Sequence, residues 1–215
     1  LADGHPEQAF WPREEPAFQQ SVDTQPLPVD KSADNRAAFL EGASFRGPGH
    51  LHLNAVCEFR EEVYALFHSK SVVANLSRGE VVIRDPHLKH AHNLLMHEPG
   101  VVTINDTRRT VVRQFDLASG AEIRHIDVRR TPGVKALLLR SGMRALRELG
   151  PAFFSSRRKA TARPLYLRGL AMNDDFIFAG FSPATIVQID RHSGEWVDSY
   201  FHSDDARVCI HGLAL

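Results

Sequence analysis

The sequence predicts an all-β protein, a β-propeller built from four-stranded antiparallel blades. Short runs of β-branched and aromatic residues, separated by turn signals, begin at His52. These runs fall into sets of four whose first residues lie 40, 76 and 43 residues apart. With an insertion in the long middle interval, this is the period of about 40 residues that is typical of propeller blades. The chain holds three such sets and one further strand. Because propellers close with about four to eight blades, we expect an incomplete or open ring.

Each blade is bounded by the same two signals. An opening His or Arg is followed 26 to 28 residues later by a turn glycine. The three pairs are His52 and Gly79, His92 and Gly120, and Arg168 and Gly194. Glycine suits the positive φ of a tight hairpin at this point. The predicted blades are 51–90, 91–128 and 166–203, and the start of the next blade is 207–215.

Two segments lie outside the repeats. Residues 1–50 are rich in proline and carry scattered aromatics, which predicts an extended N-terminal arm that pins its rings onto the domain. A disordered tail is the alternative. Residues 129–165 form an insertion, and the pattern over 133–150 predicts a helix that ends at Gly150-Pro151. The basic residues of this insertion suit an anionic protein partner, and a solvated helix face is the alternative.

Composition narrows the function classes. The chain has 215 residues, of which 43% are hydrophobic, and its 26 basic residues balance 26 acidic ones. That balance argues against a large nucleic-acid-binding face. No stretch approaches the roughly 18 apolar residues that cross a bilayer, so we expect no membrane partner. No secretory h-region opens the sequence, and we expect a cytoplasmic location, with a periplasmic or secreted one after removal of a leader as the alternative. Cys57 and Cys209 form no CxxC pair, which excludes a cysteine-based zinc site.

The candidate site follows from the repeat. The first strand of each propeller blade lines the central channel, so the opening residues are expected to converge there. Three imidazoles could hold Zn, Fe, Cu or Mn and leave a position open for water or substrate. An arginine beside them could clamp an anion. The predicted metal ligands are His52, His92 and His211, and the predicted ligand-binding residues are Arg168, Asn54 and Asn93.

Other interpretations of the same residues stay open. The channel could hold a metal-free ligand, or its polar residues could simply fill a wet channel, and no local metal motif such as HExxH is present. The first functional hypothesis is therefore a small-molecule or metal site on the propeller axis, with a His-ligated metalloenzyme as one form. The alternative is a non-catalytic interaction module that uses the propeller rim and the basic insertion.

The sequences of two strand–turn segments resemble those of known propeller repeats. FDLASGAE (115–122) and IDRHSGEW (189–196) are similar to repeats in quinoprotein-like, gluconolactonase-like and glutaminyl-cyclase-like propellers. The longer segment YLRGLAMNDDFIFAGFSPATIVQIDRHSGEW (166–196) resembles bacterial propeller proteins of unassigned function. The resemblance covers roughly residues 50–215 and implies a bacterial non-WD propeller. It implies no catalytic residue, because the metal and carboxylate sets of those families have no counterpart here.

Overall fold

The structure, a computed structural model, describes residues 11–12, 14–24, 51–137, 139, 165–203, 205 and 208–215. Within these residues the fold is all-β, with three four-stranded antiparallel sheets. Sheet 1 contains β1 (Leu53–Phe59), β2 (Glu62–Phe67), β3 (Val72–Asn75) and β4 (Glu80–Arg84). Sheet 2 contains β5 (His92–His97), β6 (Val101–Asp106), β7 (Val111–Asp116) and β8 (Glu122–Asp127). Sheet 3 contains β9 (Gly169–Met172), β10 (Phe176–Phe181), β11 (Thr185–Asp190) and β12 (Trp196–Phe201).

Each sheet is a meander in which consecutive strands are neighbours. The strands that the sequence predicts within each repeat are confirmed, because tight turns join runs of residues with high β-propensity. Gly79, Gly120 and Gly194 have φ values of 69°, 69° and 78°, as expected for the turn glycines. The turns of sheets 2 and 3 match in detail: Gly120 N–H donates to the carbonyl of Asp116, and Gly194 N–H donates to that of Asp190, both at 2.8 Å.

The sheets pack face to face through two hydrophobic cores. The core between sheets 1 and 2 includes Leu66, Ile83 and Phe115, each at most 1% exposed. The core between sheets 2 and 3 joins residues such as Val112 and Phe181. Val134 and Leu137 also belong to this second core, and residues 132–137 are helical. Most of the predicted helix at 133–150, like most of the 129–165 insertion, lies outside the described residues.

The same neighbour relation repeats from sheet to sheet. The first strands lie side by side, since β1 contacts β5 and β5 contacts β9. The last turn of each later sheet packs on the last strand of the preceding one. A β-carbon on Gly120 would lie 2.7 Å from the carbonyl oxygen of Val82 in β4, and one on Gly194 would lie 3.5 Å from Ile126 in β8. The sheets are therefore arranged in a regular series.

The N-terminal segment covers the outer face of sheet 1. Residues Pro16–Ser21 form a short helix, α1, where the sequence predicts an extended arm. Proline fits the first turn of a helix, because the amide it lacks would have no partner within the helix. Phe18 is fully buried, and its ring centroid lies 5.4 Å from that of Phe67. The other parts of 1–50 lie outside the described residues, apart from 11–12, 14–15 and 22–24.

The C-terminal segment lies against sheet 3 without joining it. Residues 208–215 form no strand, whereas the sequence predicts the first strand of another blade at 207–215. A β-strand requires a hydrogen-bonded neighbouring strand, and among the described residues none pairs with residues 208–215. Ile210 packs over a pair of facing glycines, and a β-carbon on Gly169 would lie 2.9 Å from Cγ2 of Ile210. The side chain of Ile210 therefore packs on sheet 3 at the place where the sequence predicts the first strand of the next blade.

The described helices do not suggest a transmembrane segment. None of them is long and apolar enough to cross a bilayer.

Candidate functional site

Histidine side chains collect where β5 begins, near the ends of the neighbouring strands. The ring centroid of His68, which follows β2, lies 4.3 Å from that of His52 and 6.5 Å from that of His92. His92 lies 6.4 Å from His211, and His68 lies 5.7 Å from His90. We call this group the histidine–arginine cluster, which comprises His52, His68, His90, His92, His211, Tyr166 and Arg168.

The strand registers shift one of the predicted equivalences. His92 faces Asn105 across β5 and β6, whereas Leu53 faces Phe67 across β1 and β2. Both β1 and β5 carry an irregularity just after these positions, at Asn54 and Asn93. Leu53 therefore occupies the ladder position of His92, and His52 lies one residue earlier. This offset places the His52 ring beside His68.

His92 is held in one tautomer by its neighbours. Its Nδ1 lies 2.8 Å from the hydroxyl of Thr107 and 3.1 Å from the carbonyl oxygen of His90. The Thr107 hydroxyl donates its own proton to the carbonyl of Leu167 at 2.7 Å, so it accepts from His92. This network assigns the proton to Nδ1 and leaves Nε2 as a hydrogen-bond acceptor.

The environment keeps His92 uncharged. Burial, followed by the positive charge of Arg168, lowers the pKa of His92 to about 4. His211 and His52, which are also basic residues, lower this pKa further. His92 is therefore a neutral imidazole at neutral pH, beside a permanent cation.

Arg168 lies directly before β9 and holds its guanidinium over an aromatic ring. Its Cζ is 4.5 Å from the ring centroid of Tyr166, and an Nη donates to the Tyr166 hydroxyl at 3.3 Å. The Nε–H of Arg168 is buried and has no hydrogen-bond partner among the described residues. Within the same residues no carboxylate forms a salt bridge with it. Buried donors nearly always have an acceptor, so this atom is the outstanding feature of the site.

The two predicted asparagines join strands. Asn54 Nδ2 donates to the carbonyl of Ala91 at 2.5 Å, which links β1 to the segment before β5. Asn93 has a φ of 59° and accepts a 3.0 Å hydrogen bond from Asn105, whose amide also donates to the carbonyl of Gly169. These contacts position the neighbouring first strands. A role for Asn54 or Asn93 in ligand binding stays a prediction.

The three predicted metal ligands are neighbours, but they do not form a metal-binding arrangement. In the described part of the chain, no group of three or more His, Cys, Asp or Glu side chains could hold a metal ion. The one-residue offset at β1 gives a physical reason, since it directs His52 toward His68. The prediction of a Zn, Fe, Cu or Mn site therefore gains no support from this geometry.

Three members of the cluster, His68, His90 and Tyr166, are not among the predicted site residues, and neither is Thr107, which accepts a hydrogen bond from His92 Nδ1. His68 lies near the end of the predicted second strand, 63–69, and antiparallel pairing brings that end of the hairpin back to the residue before β1. A hairpin register drawn from the sequence could thus have found it. Tyr166 and Thr107 carry no such signal, because their positions depend on how sheets 2 and 3 pack.

Two large grooves lie away from the cluster. One, of about 760 Å³, lies between sheets 1 and 2 and includes Arg60, Glu62 and Asp116. The other, of about 660 Å³, lies between sheets 2 and 3 and includes Arg129 and Trp196. Their arginines are largely paired, as in the contacts of Arg60 with Glu98 and of Arg129 with Asp127. The unsatisfied donor of Arg168 therefore makes the histidine–arginine cluster the better functional candidate.

Comparisons with known proteins bear on the fold alone. No family model matches the chain. No curated protein matches it either. The computationally designed Ika4 protein is similar in structure, with a TM-score of 0.50 and 13% identity, over 80% of this chain and 84% of that one. The designed Ika8 protein gives a TM-score of 0.50 at 11% identity, over 77% of this chain and 41% of that one.

A third solved structure is more distant. The dihydro-heme d1 dehydrogenase NirN in complex with DHE has a TM-score of 0.40 and 13% identity, over 73% of this chain and 30% of that one. The chain thus spans less than half the length of Ika8 and of NirN. A TM-score of 0.40 is too low for the likeness to NirN to indicate a shared fold or function.

Proposed function

We propose that this chain belongs to a β-propeller and binds a small oxyanion at the histidine–arginine cluster, close to the propeller axis. The observation that carries the proposal is the buried Nε–H of Arg168, which has no partner among the described residues. The ligand class is a carboxylate or a phosphate, because the guanidinium fork matches both.

The regular series of sheets supports the propeller. Adjacent first strands are expected around a central channel, and each sheet packs on the next in the same way. The strand–turn sequences at 115–122 and 189–196, which resemble those of bacterial non-WD propellers, agree with this assignment. The three sheets would be consecutive blades, and residues 208–215 would occupy the place of the next one.

The charges around the cluster support an anionic ligand. Burial and then Arg168 lower the pKa of His92, and no carboxylate of the described residues is among the groups that raise it. An anion near Arg168 would therefore meet a positive potential without competing carboxylates. The partial burial of the site would strengthen that attraction relative to water.

His92 adds a second requirement for the ligand. Its Nε2 is an acceptor, since Nδ1 carries the proton. A ligand that offers both an oxyanion and a hydroxyl group would satisfy Arg168 and His92 together. We therefore propose a hydroxycarboxylate as the preferred class within the oxyanions, and we assign no reaction to the site.

Binding of lactate and inorganic phosphate to the full chain tests the proposal. The Nε–Hε signal of Arg168 in a proton–nitrogen NMR spectrum is expected to shift on titration. Arg168→Gln should weaken binding about tenfold or more, because it removes a charge-assisted hydrogen bond worth about 1.5–3 kcal/mol. Arg78→Gln, which removes an exposed arginine of sheet 1, is the matched control and should leave binding unchanged.

Equal affinity in Arg168→Gln and the parent protein would overturn the proposal. Stoichiometric metal that is lost in a His52→Ala, His92→Ala, His211→Ala triple variant would favour the predicted metal site instead. Absence of anion binding would favour the second candidate, an interaction module. That candidate has one supporting observation, the groove of about 660 Å³ where the basic insertion begins beside Trp196, which is 36% exposed.

Three further expectations from the sequence stay predictions. They are the cytoplasmic location, the absence of a nucleic-acid partner and a protein partner at the 129–165 insertion.

A further inference from the structure

A second basic cavity lies at the opposite end of β5. His92 and His97 are the first and last residues of this strand, so the cavity is separated from the histidine–arginine cluster by the strand's length. It has a volume of about 260 Å³ and opens between sheets 2 and 3. The polar side chains that line it are His97, Gln114, Arg124, Arg191 and His192.

Two arginines are fixed at this cavity by backbone carbonyls. Arg124 reaches from β8 to the turn after β11, where its Nη atoms donate to the carbonyls of Arg191 and His192 at 2.8 and 2.7 Å. Arg191 donates to the carbonyl of Asn173 at 3.0 Å. Carbonyl oxygens orient a guanidinium without cancelling its charge. The cavity therefore holds two positioned cations.

The acidic neighbour of Arg191 compensates little of this charge. Asp174 is fully exposed, and its carboxylate lies 3.9 Å from an Nη of Arg191. Such a pair contributes little attraction, because water screens it. The side chain of Arg191 itself is only 17% exposed, so its charge acts mainly on the cavity.

His97 lines this cavity and carries an unsatisfied polar atom. Its Nδ1 is buried and has no hydrogen-bond partner in the part of the chain that the structure describes. Burial and, to a smaller extent, the charge of Arg191 lower the pKa of His97 to about 4. The ring is therefore neutral at neutral pH, and with its proton on Nδ1 it can donate one hydrogen bond.

We propose that this cavity binds a small oxyanion of the phosphate class through Arg124, Arg191 and the Nδ1–H of His97. Both arginines can offer N–H groups beyond those engaged by the carbonyls, since each guanidinium has five. The volume admits a phosphate group with some water. The ligand is either free phosphate or the phosphoryl group of a larger molecule, and this site shares no residue with the histidine–arginine cluster.

Titration of the full chain with inorganic phosphate at pH 7.5 tests the inference, with glycerol 3-phosphate as a second probe. The imidazole signals of His97 are expected to shift and to saturate. Arg191→Gln and, separately, His97→Phe should each weaken phosphate binding about tenfold or more, since each removes a donor. Arg78→Gln is the matched control and should have no effect. Tighter binding of the ester would identify a phosphoryl group as the ligand, and equal or tighter binding of phosphate would identify the free ion.

The two proposed sites are separable in this experiment. Arg168→Gln should leave the His97 shifts intact, even though it removes the proposed oxyanion contact at the cluster. His97 signals that do not move, or an unchanged affinity in both variants, would overturn the inference. Equal shifts with chloride at the same ionic strength would also overturn it, because they would indicate screening rather than a site. If Arg191→Gln fails to fold, His97→Phe decides the outcome, with the Nε–Hε signal of Arg191 as the readout.

Discussion

A buried ion pair in sheet 2 illustrates what single residues contribute. Arg113 on β7 donates from Nε to Asp106 on β6 at 3.1 Å and from Nη1 to Glu122 on β8 at 2.7 Å. The side chains of Arg113 and Asp106 are 7% and 1% exposed. The network therefore joins three strands, and Asp106 is the more deeply buried of the two carboxylates that face Arg113.

Replacing Asp106 tests how much this network contributes to the stability of the fold. Asp106→Asn is expected to lower the free energy of unfolding by about 3 kcal/mol, because Arg113 then loses a buried counter-charge. The comparison is Glu98→Gln, which removes an exposed partner of Arg60 and should cost far less, because solvent screens that pair. Urea denaturation followed by circular dichroism measures both. Similar losses in the two variants would contradict the argument from burial.

At the scale of elements, α1 depends on the sheet beneath it. Six residues are too few for a helix to be stable alone, and no side chain caps its N-terminus. Phe18 and Val22 pack into the cluster that covers Ala65 and Phe67 of β2. Arg84 of β4 also donates to the carbonyl of Ser21. Packing, rather than helix propensity, thus keeps this element in place.

Truncation of Phe18 should release part of that packing. Phe18→Ala is expected to lower the free energy of unfolding by about 3 kcal/mol, the lower end of the range for buried phenylalanines, since a short terminal helix can detach. Gln20→Ala, at an exposed position of the same helix, should change it by less than about 0.5 kcal/mol. Chemical denaturation gives both values, and faster proteolysis before residue 51 should accompany only the first. Equal stability of the two variants would show that α1 adds nothing to the fold.

Elements were largely predictable, and their ends were not. Alternating β-type residues and turn glycines are local signals, so the strands follow from the sequence. The residue at which β1 begins is not a local property, because it depends on pairing with β2, and the pairing of Leu53 with Phe67 leaves His52 one residue before the position equivalent to His92. The sequence does not predict the helix that begins at Pro16. Proline usually interrupts a helix, but in the first turn it is compatible with one.

At the scale of the whole molecule, the sequence predicts which residues come together at the candidate site but not the environment that surrounds them. The repeat brings His92 and Arg168 to neighbouring strand ends, which the sequence indicates. The environment of Arg168 depends on packing between sheets, where Tyr166 supplies the ring below it and the described residues supply no counter-charge. Such properties arise from three-dimensional neighbours that are distant in sequence, so composition and spacing could not reveal them.

The two hydrophobic cores have a consequence for how the protein opens. Sheet 2 belongs to both cores, whereas sheets 1 and 3 each share a core with sheet 2 alone in the described residues. In such a linear array, cooperativity passes between nearest neighbours and the terminal units fray first. Native-state hydrogen exchange should therefore be slowest for amides of β6 and β7 and faster for β3 and β11. Protection that is equal in all three sheets would mean that the array unfolds as one unit.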